Sequence, residues 1–376
     1  MVEQSAQLAS PVAEGFRMPA EFESHDSCWM LWPRRGDVWR HGGKPAQMAF
    51  VEVAKAIAQS ELVIVGVSDD QYVNARNMLP ADVRVVEISS NDSWMRDMGP
   101  SFLINSAGEL AGVDWQFNAW GGLDGGLYFP WDKDDRVAQK VCEMTGAKRF
   151  RAPLVMEGGA IHVDGEGTLI TTEECLLNKN RNPSMDKTLI ETHLCELLAV
   201  EKIIWIPRGT YNDETDGHVD NICCFLRPSV VGLHMCDNPK DPQYEISQEA
   251  LACLEAATDA KGRKIEVVKF PQPSPLHISE LEAQGVDMDE SSHGREEGER
   301  MAGSYINFYI GNSVVVFPRL DKKHDECVKL LLQQQFPSRR VVGVSAREIL
   351  LGGGNIHCIT QQQPSCIKES QIQSSQ

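Results

Sequence analysis

The sequence predicts an α/β fold assembled from a repeated unit of hairpin, helix and strand. Three observations carry this. Strand and helix patterns alternate through the first hundred residues. Four strand–turn–strand patterns then recur, with helical segments between them. The loops ahead of three of these hairpins hold acidic or histidine residues, at Asp97, Glu157 and His218, which lie 60 and 61 residues apart. Five units of ~60 residues would use most of the chain.

In chain order, 1–16 reads as a loose leader. Cys28-Trp29-Met30-Leu31-Trp32-Pro33 is a buried strand stopped by proline. The spacing predicts an amphipathic helix over 47–59, with Pro45 suited to its first turn. A strand over 62–67, a helix over 68–78 and a strand over 83–88 follow. Hairpins are expected at 102–105 with 110–115, at 160–171, at 222–226 with 230–234, and at 306–310 with 313–317. Helices are expected at 131–145 and 184–198. The stretch 271–300, rich in Pro, Ser, Glu and Gly, reads as a surface excursion that could also cover a site, with His293 solvated on it. The chain would thus hold one catalytic domain over 17–363 and a disordered tail over 364–376.

Composition excludes several classes. The formal net charge of −18 argues against nucleic acid or an anionic membrane surface as partner and suits a cationic ligand, although solubility also accounts for it. No window approaches the ~18 apolar residues of a membrane span. The N-terminus lacks a secretory pattern, and the eleven cysteines include no C-x-x-C pair, which together favour a reducing, cytoplasmic setting. Zinc-type spacing is absent, so neither metal nor organic cofactor is expected.

The glycine run Gly352-Gly353-Gly354 before Cys358 reads as a tight turn leading the thiol into a short strand. Alternation along that strand would point His357 away from the thiol, so His357 is set aside. If the loops converge, they gather Trp94, Asp97, Glu157, His218, Asp220 and Cys358. Taken singly, each has a plainer role: Glu157 as a turn former, His218 as a structural histidine, Trp94 as core. Together they supply a nucleophile, a proton shuttle and three acids. Acids beside a thiolate raise its pKa unless a cation is bound. A guanidinium would fit, because two carboxylates can grip its fork of N–H donors while an aromatic ring stacks on its face.

Five motifs then carry a resemblance. They are Asn91-Asp92-Ser93-Trp94-Met95-Arg96-Asp97; Glu157-Gly158-Gly159; the run Thr172-Glu173-Glu174-Cys175-Leu176-Leu177-Asn178-Lys179-Asn180-Arg181-Asn182-Pro183; Asp216-Gly217-His218-Val219-Asp220-Asn221; and Gly353-Gly354-Asn355-Ile356-His357-Cys358. From Met18-Pro19-Ala20-Glu21 to Pro364, the chain resembles agmatine deiminases, particularly the plant-type ones, of the guanidino-group-modifying (pentein) superfamily. The resemblance implies a five-bladed α/β propeller with pseudo-five-fold symmetry and hydrolysis of agmatine to N-carbamoylputrescine and ammonia, a step of putrescine and polyamine biosynthesis. It implies Cys358 as nucleophile, His218 as general acid/base, Glu157 as its support, Asp97 and Asp220 as guanidinium carboxylates and Trp94 as the stacking ring. It also implies a homodimer or larger homo-oligomer. Glu214 and Asp213, in the acidic turn before His218, are candidates for the distal ammonium. The alternatives are a deiminase of free or methylated arginine, and a non-catalytic protein on the same fold.

Overall fold

Among the described residues, sixteen strands fall into five sheets, and all five share one wiring. The computed structural model describes residues 10–287 and 292–366. Chain order gives β1 (His25–Leu31), β2 (Leu62–Val67) and β3 (Arg84–Glu87), then β4 (Ser101–Ile104), β5 (Leu110–Gln116) and β6 (Lys148–Val155). Next come β7 (Ile161–Val163), β8 (Thr168–Thr172), β9 (Lys202–Ile206), β10 (Cys223–Arg227), β11 (Val230–Met235) and β12 (Glu266–Pro271). The last are β13 (Tyr309–Ile310), β14 (Val314–Arg319), β15 (Arg340–Ser345) and β16 (Gln361–Pro364).

Four sheets have the orders β4-β5-β6, β7-β8-β9, β10-β11-β12 and β13-β14-β15. In each, the first two strands pair antiparallel and the second and third pair parallel. Parallel neighbours need a crossover, and a helix supplies it each time: Val137–Thr145, Lys187–Leu198, Gln243–Ala256 and Asp325–Gln335. The fifth sheet takes its antiparallel strand from the far end of the chain. β16 pairs with β1, and β1 pairs parallel with β2 across the helix Lys44–Ala58, with β3 added at the edge. The expected repeat is therefore present, and its last copy is completed by both chain ends.

Local chemistry explains the elements. Asp186 caps the helix Lys187–Leu198 by accepting the Leu189 N–H at 2.9 Å. The buried side chains of Asp325–Gln335 are Val328 and Leu332, one turn apart and facing the sheet. Burying each stabilises by about 1.5–3 kcal/mol. Core clusters of this kind lie between each sheet and its crossover helix.

Two expectations need correction. Cys358 does not enter a strand: 356–359 form a turn, and β16 begins only at Gln361. Pro364, the first residue of the expected disordered tail, ends β16, and the Ser365 N–H donates to the Ser24 carbonyl at 2.8 Å. Of the expected leader, Phe16 is buried against Phe150, 5.9 Å between ring centres, and residues 1–9 lie outside the described residues. Most of the expected tail, 367–376, also lies outside them. Among the described residues no helix is long and apolar enough to cross a membrane.

Candidate active site

The loop ahead of each sheet's first strand turns inward, and the five loops close on one another through hydrogen bonds. The Gly159 N–H donates to Asp97 Oδ1 at 3.0 Å. His218 Nε2 meets Glu157 Oε2 at 3.4 Å. Asn307 Nδ2 donates to Asn221 Oδ1 at 3.0 Å, and Asn307 Oδ1 accepts the His357 N–H at 2.9 Å. The Arg96 N–H donates to the Cys358 carbonyl at 3.1 Å, which returns the circuit to the first loop. Residues far apart in sequence are thereby held around one centre.

Gly159 marks that centre. A Cβ there would lie 2.5 Å from His218 Nδ1, 2.8 Å from Asp97 Oδ1 and 3.1 Å from Asp220 Oδ2. Only glycine lets these three side chains converge so closely on the backbone. Cys358 Sγ lies 3.6 Å from Asp220 Oδ2 and 3.2 Å from Asn307 Nδ2. Gly354 plays the same part for Trp94: a Cβ there would meet the indole at 2.5 Å and the Cys358 Cβ at 3.2 Å. The Trp94 ring is fixed by stacking on Trp39, 4.9 Å between centres, and by its Nε1–H donated to Asp92 at 2.9 Å.

Asp97 Oδ2 accepts the Trp120 Nε1–H at 3.0 Å. Glu157 Oε1 accepts from Arg181 Nε at 2.8 Å, so the acid is held from one side by arginine and from the other by His218. Arg181 is itself anchored by Asp216, by the Thr215 carbonyl and by the Trp120 carbonyl. Two buried atoms of these side chains have no hydrogen-bond partner in the protein, His218 Nδ1, which faces Gly159, and Asp220 Oδ1. An unpaired buried polar atom costs about 1–3 kcal/mol, which a ligand can recover.

The electrostatics divide the residues. Burial pushes the Cys358 thiol well above its ordinary range, and Asp220 and Asp97 push it the same way. Burial alone would lower His218, but Asp97, Cys175 and Glu157 outweigh it and hold the ring well above its usual value. Burial raises the Asp97 carboxyl to about 6, against the pull of His218. Burial also works to raise Asp220, yet the hydrogen bond and charge of His357 leave it below the ordinary carboxylate range. Glu157 is likewise lowered, because Arg181 and His218 outweigh its burial. The free site therefore pairs a neutral thiol with a charged histidine.

Two candidates fall elsewhere. Asp213 does not offer a free oxygen to the centre: Oδ1 accepts from Thr215 and Oδ2 from Asn221 at 3.0 Å, so it stiffens its own loop. Glu214 lies against the glycine turn, where a Cβ on Gly353 would meet its Oε2 at 2.6 Å. It is ion-paired to Arg295, which also donates to the Gly352 carbonyl at 2.8 Å. The 271–300 excursion thus reaches the turn ahead of the thiol; its residues 288–291 lie outside the described set, and the His293 N–H bonds the Leu127 carbonyl.

Two groups bring potential metal ligands together, Glu21 with His162 and His357, and Glu157 with Cys175 and His218. Each has an arginine against its carboxylate, Arg96 at 3.9 Å from Glu21 and Arg181 at 2.8 Å from Glu157, and that charge disfavours a cation in either.

Comparison with known proteins agrees with this geometry. The profile of the Porphyromonas-type peptidyl-arginine deiminases matches residues 17–364. The agmatine deiminase of Ectopseudomonas mendocina is 58% identical over 358 residues, 95% of this chain and 97% of that protein. The chain belongs to the agmatine deiminase family. The agmatine deiminase of Pseudomonas aeruginosa is 57% identical over 359 residues, 95% of this chain and 98% of that protein. Among solved structures, the agmatine deiminase of Enterococcus faecalis superposes with a TM-score of 0.93 at 47% identity, covering 96% of this chain and 98% of that one.

Sequence reasoning missed three residues that an agmatine deiminase fold brings to this centre. Asn307 lies in the loop ahead of β13, inside the stretch 306–310 expected to be strand, at the position the other loops fill with acids or histidine, and repeat alignment could have found it. Arg181 sits in a quoted motif without a role. His357 was set aside by an alternation argument that does not apply in a turn.

Proposed function

We propose that the chain hydrolyses the guanidino group of agmatine, giving N-carbamoylputrescine and ammonia through a covalent amidino-cysteine. The observation that carries it is the convergence of Asp97, His218 and Asp220 on Gly159, with the Cys358 thiol 3.6 Å from Asp220. Asp97 and Asp220 grip the guanidinium. Its charge replaces the thiol proton in the electrostatics of the pocket: that proton leaves to solvent as the substrate binds, so Cys358 reacts as thiolate only with substrate bound. Sγ attacks the central carbon. His218, charged beforehand, protonates the departing nitrogen, and ammonia leaves. The neutral ring then takes a proton from water as the water attacks the same carbon. Collapse breaks the C–S bond and returns the thiolate, and the hydroxyl proton leaves to solvent as the carbonyl of N-carbamoylputrescine forms.

A second reading, action on free arginine, draws on Arg295, a cation near the glycine turn that an α-carboxylate would require. Arg295 is already ion-paired with Glu214, so it offers little free charge to an α-carboxylate, which favours agmatine. Ammonia release from agmatine, with arginine assayed alongside, tests the proposal: faster release from agmatine supports it, and preference for arginine sinks it. A cytoplasmic location rests on the N-terminal pattern and the cysteine spacing, a homo-oligomeric state on the resemblance, and gel filtration checks the second.

A further inference from the structure

Glu21 and His357 take no part in the chemistry above, yet they lie in line with Asp220. His357 Nδ1 is 2.8 Å from Asp220 Oδ2, and His357 Nε2 is 2.8 Å from Glu21 Oε2. All three side chains are almost fully buried. A neutral imidazole has one N–H and one bare nitrogen, and the bare nitrogen would face a carboxylate oxygen with no proton between them. Two such contacts at 2.8 Å need a proton in each, and with both acids held below the ordinary carboxylate range those protons sit on the ring. We propose that Glu21 and His357 form a positioning pair, in which an imidazolium clamped between two carboxylates keeps Asp220 ionised and aimed at the substrate guanidinium. This deepens the deiminase reading and rests on it.

The surroundings fit the role. The Asp220 oxygen that His357 holds is the one 3.6 Å from Cys358 Sγ, while Oδ1 is left without a protein partner. The imidazolium thus draws charge from the oxygen nearest the thiol and leaves the other for a cation. The ring is held at both nitrogens, and its backbone N–H is fixed on Asn307 Oδ1 at 2.9 Å. Glu21 is anchored in turn: its Oε1 accepts the Ile310 N–H at 2.8 Å. The other groups facing the pair are Arg96, 3.9 Å from Glu21, and His162, stacked on His357 with centres 6.0 Å apart, with the buried thiols of Cys358 and Cys224 beside them. Arg96 and burial oppose the charge on His357; Glu21 and Asp220 outweigh them. Burial lowers His162, which leaves it neutral.

The test compares kcat, KM and their pH profiles for wild type, His357→Asn, His357→Ala and Glu21→Gln. Asparagine keeps a neutral N–H for Asp220 and removes the charge. His357→Asn is expected to lose about ten- to a hundred-fold in kcat/KM at neutral pH, mostly through KM, the scale of a hydrogen bond to a charged group. With the His357 charge gone, burial is left to raise Asp220 past Asp97, which sets the wild-type limb at about 6, so the acid limb moves up by about one pH unit or more and activity returns at higher pH. His357→Ala leaves Asp220 unsupported and should not recover. Glu21→Gln, which keeps the histidine and guards against a misfolded His357 variant, should move the limb the same way by less. ¹⁵N-histidine NMR of the free protein reads the charge directly, with both ring nitrogens of His357 protonated at neutral pH. A His357→Asn acid limb coincident with wild type, or a neutral His357 in the spectrum, overturns the proposal. Wild type that releases no ammonia from agmatine would instead overturn the substrate reading, and the NMR result would still decide the state of the pair.

Discussion

The pockets around His218 and His357 share a recipe and differ in one respect. Each ring is buried, each lies against carboxylates, and each is held charged because those acids outweigh burial. His357 has both nitrogens committed at 2.8 Å, on loops tied to Asn307 and Ile310. His218 has one nitrogen on Glu157 at 3.4 Å and the other unpaired, 3.9 Å from Asp97. The first can release a proton only by breaking two charge-assisted hydrogen bonds, whereas the second has a nitrogen with no hydrogen bond to give up. Pairing of the second nitrogen separates a histidine that fixes charge from one that moves protons.

Mutations can break or sharpen this contrast. The largest effect should come from the nucleophile both pockets serve. Cys358→Ala is expected to lower turnover by on the order of 10⁴-fold or more, and acid-quenched wild type should carry the amidino mass on the peptide holding Cys358. An adduct mapped to Cys175, which lies near His218 and Glu157, would reassign the chemistry. Next is His218→Asn, which keeps a polar group and removes the shuttle. Loss of a positioned acid–base group costs about 10²–10⁴-fold in kcat, with little change in KM. An equal loss at His357 confined to kcat would erase the distinction.

The pH dependence comes third. With Asp97 pushed up to about 6, its carboxyl is increasingly protonated below that pH in the free protein and grips a cation poorly. Wild-type kcat/KM should therefore climb as pH rises through about 6 and fall on acidification. A profile flat from pH 5 to 7 would contradict the role given to Asp97. The smallest effect belongs to Asp213→Asn. Its oxygens serve Thr215 and Asn221, so KM should change less than about tenfold, the scale of a neutral hydrogen bond, while thermal stability falls slightly.

The sequence carried the repeat well because hairpins and crossover helices have strong local periodicities. Asp97, Glu157, His218 and Asp220 could be read because ionisable residues recurred at matching points of that repeat. Asn307 escaped because it is neutral and sits in a run, Tyr305-Ile306-Asn307-Phe308-Tyr309, that reads as strand. β16 escaped because Gln361, Gln362 and Gln363 have no apolar alternation; the strand exists through its pairing with β1, a contact between the two chain ends. Glu21 belongs to the same closure. His357 was lost to a period-two argument applied where the chain turns, and Asp213 was overvalued because an acidic turn looks the same whether its oxygens face a ligand or its own backbone.

The central claim is that the thiol is neutral until a cation fills the site. The most direct measurement is the pH dependence of Cys358 alkylation in the free protein, followed by peptide mass mapping so that the other cysteines do not interfere. The account predicts a rate still rising beyond the ~8.5 of an ordinary thiol, in a protein that turns over agmatine at neutral pH. A rate already level at neutral pH would mean a preformed thiolate and would contradict it.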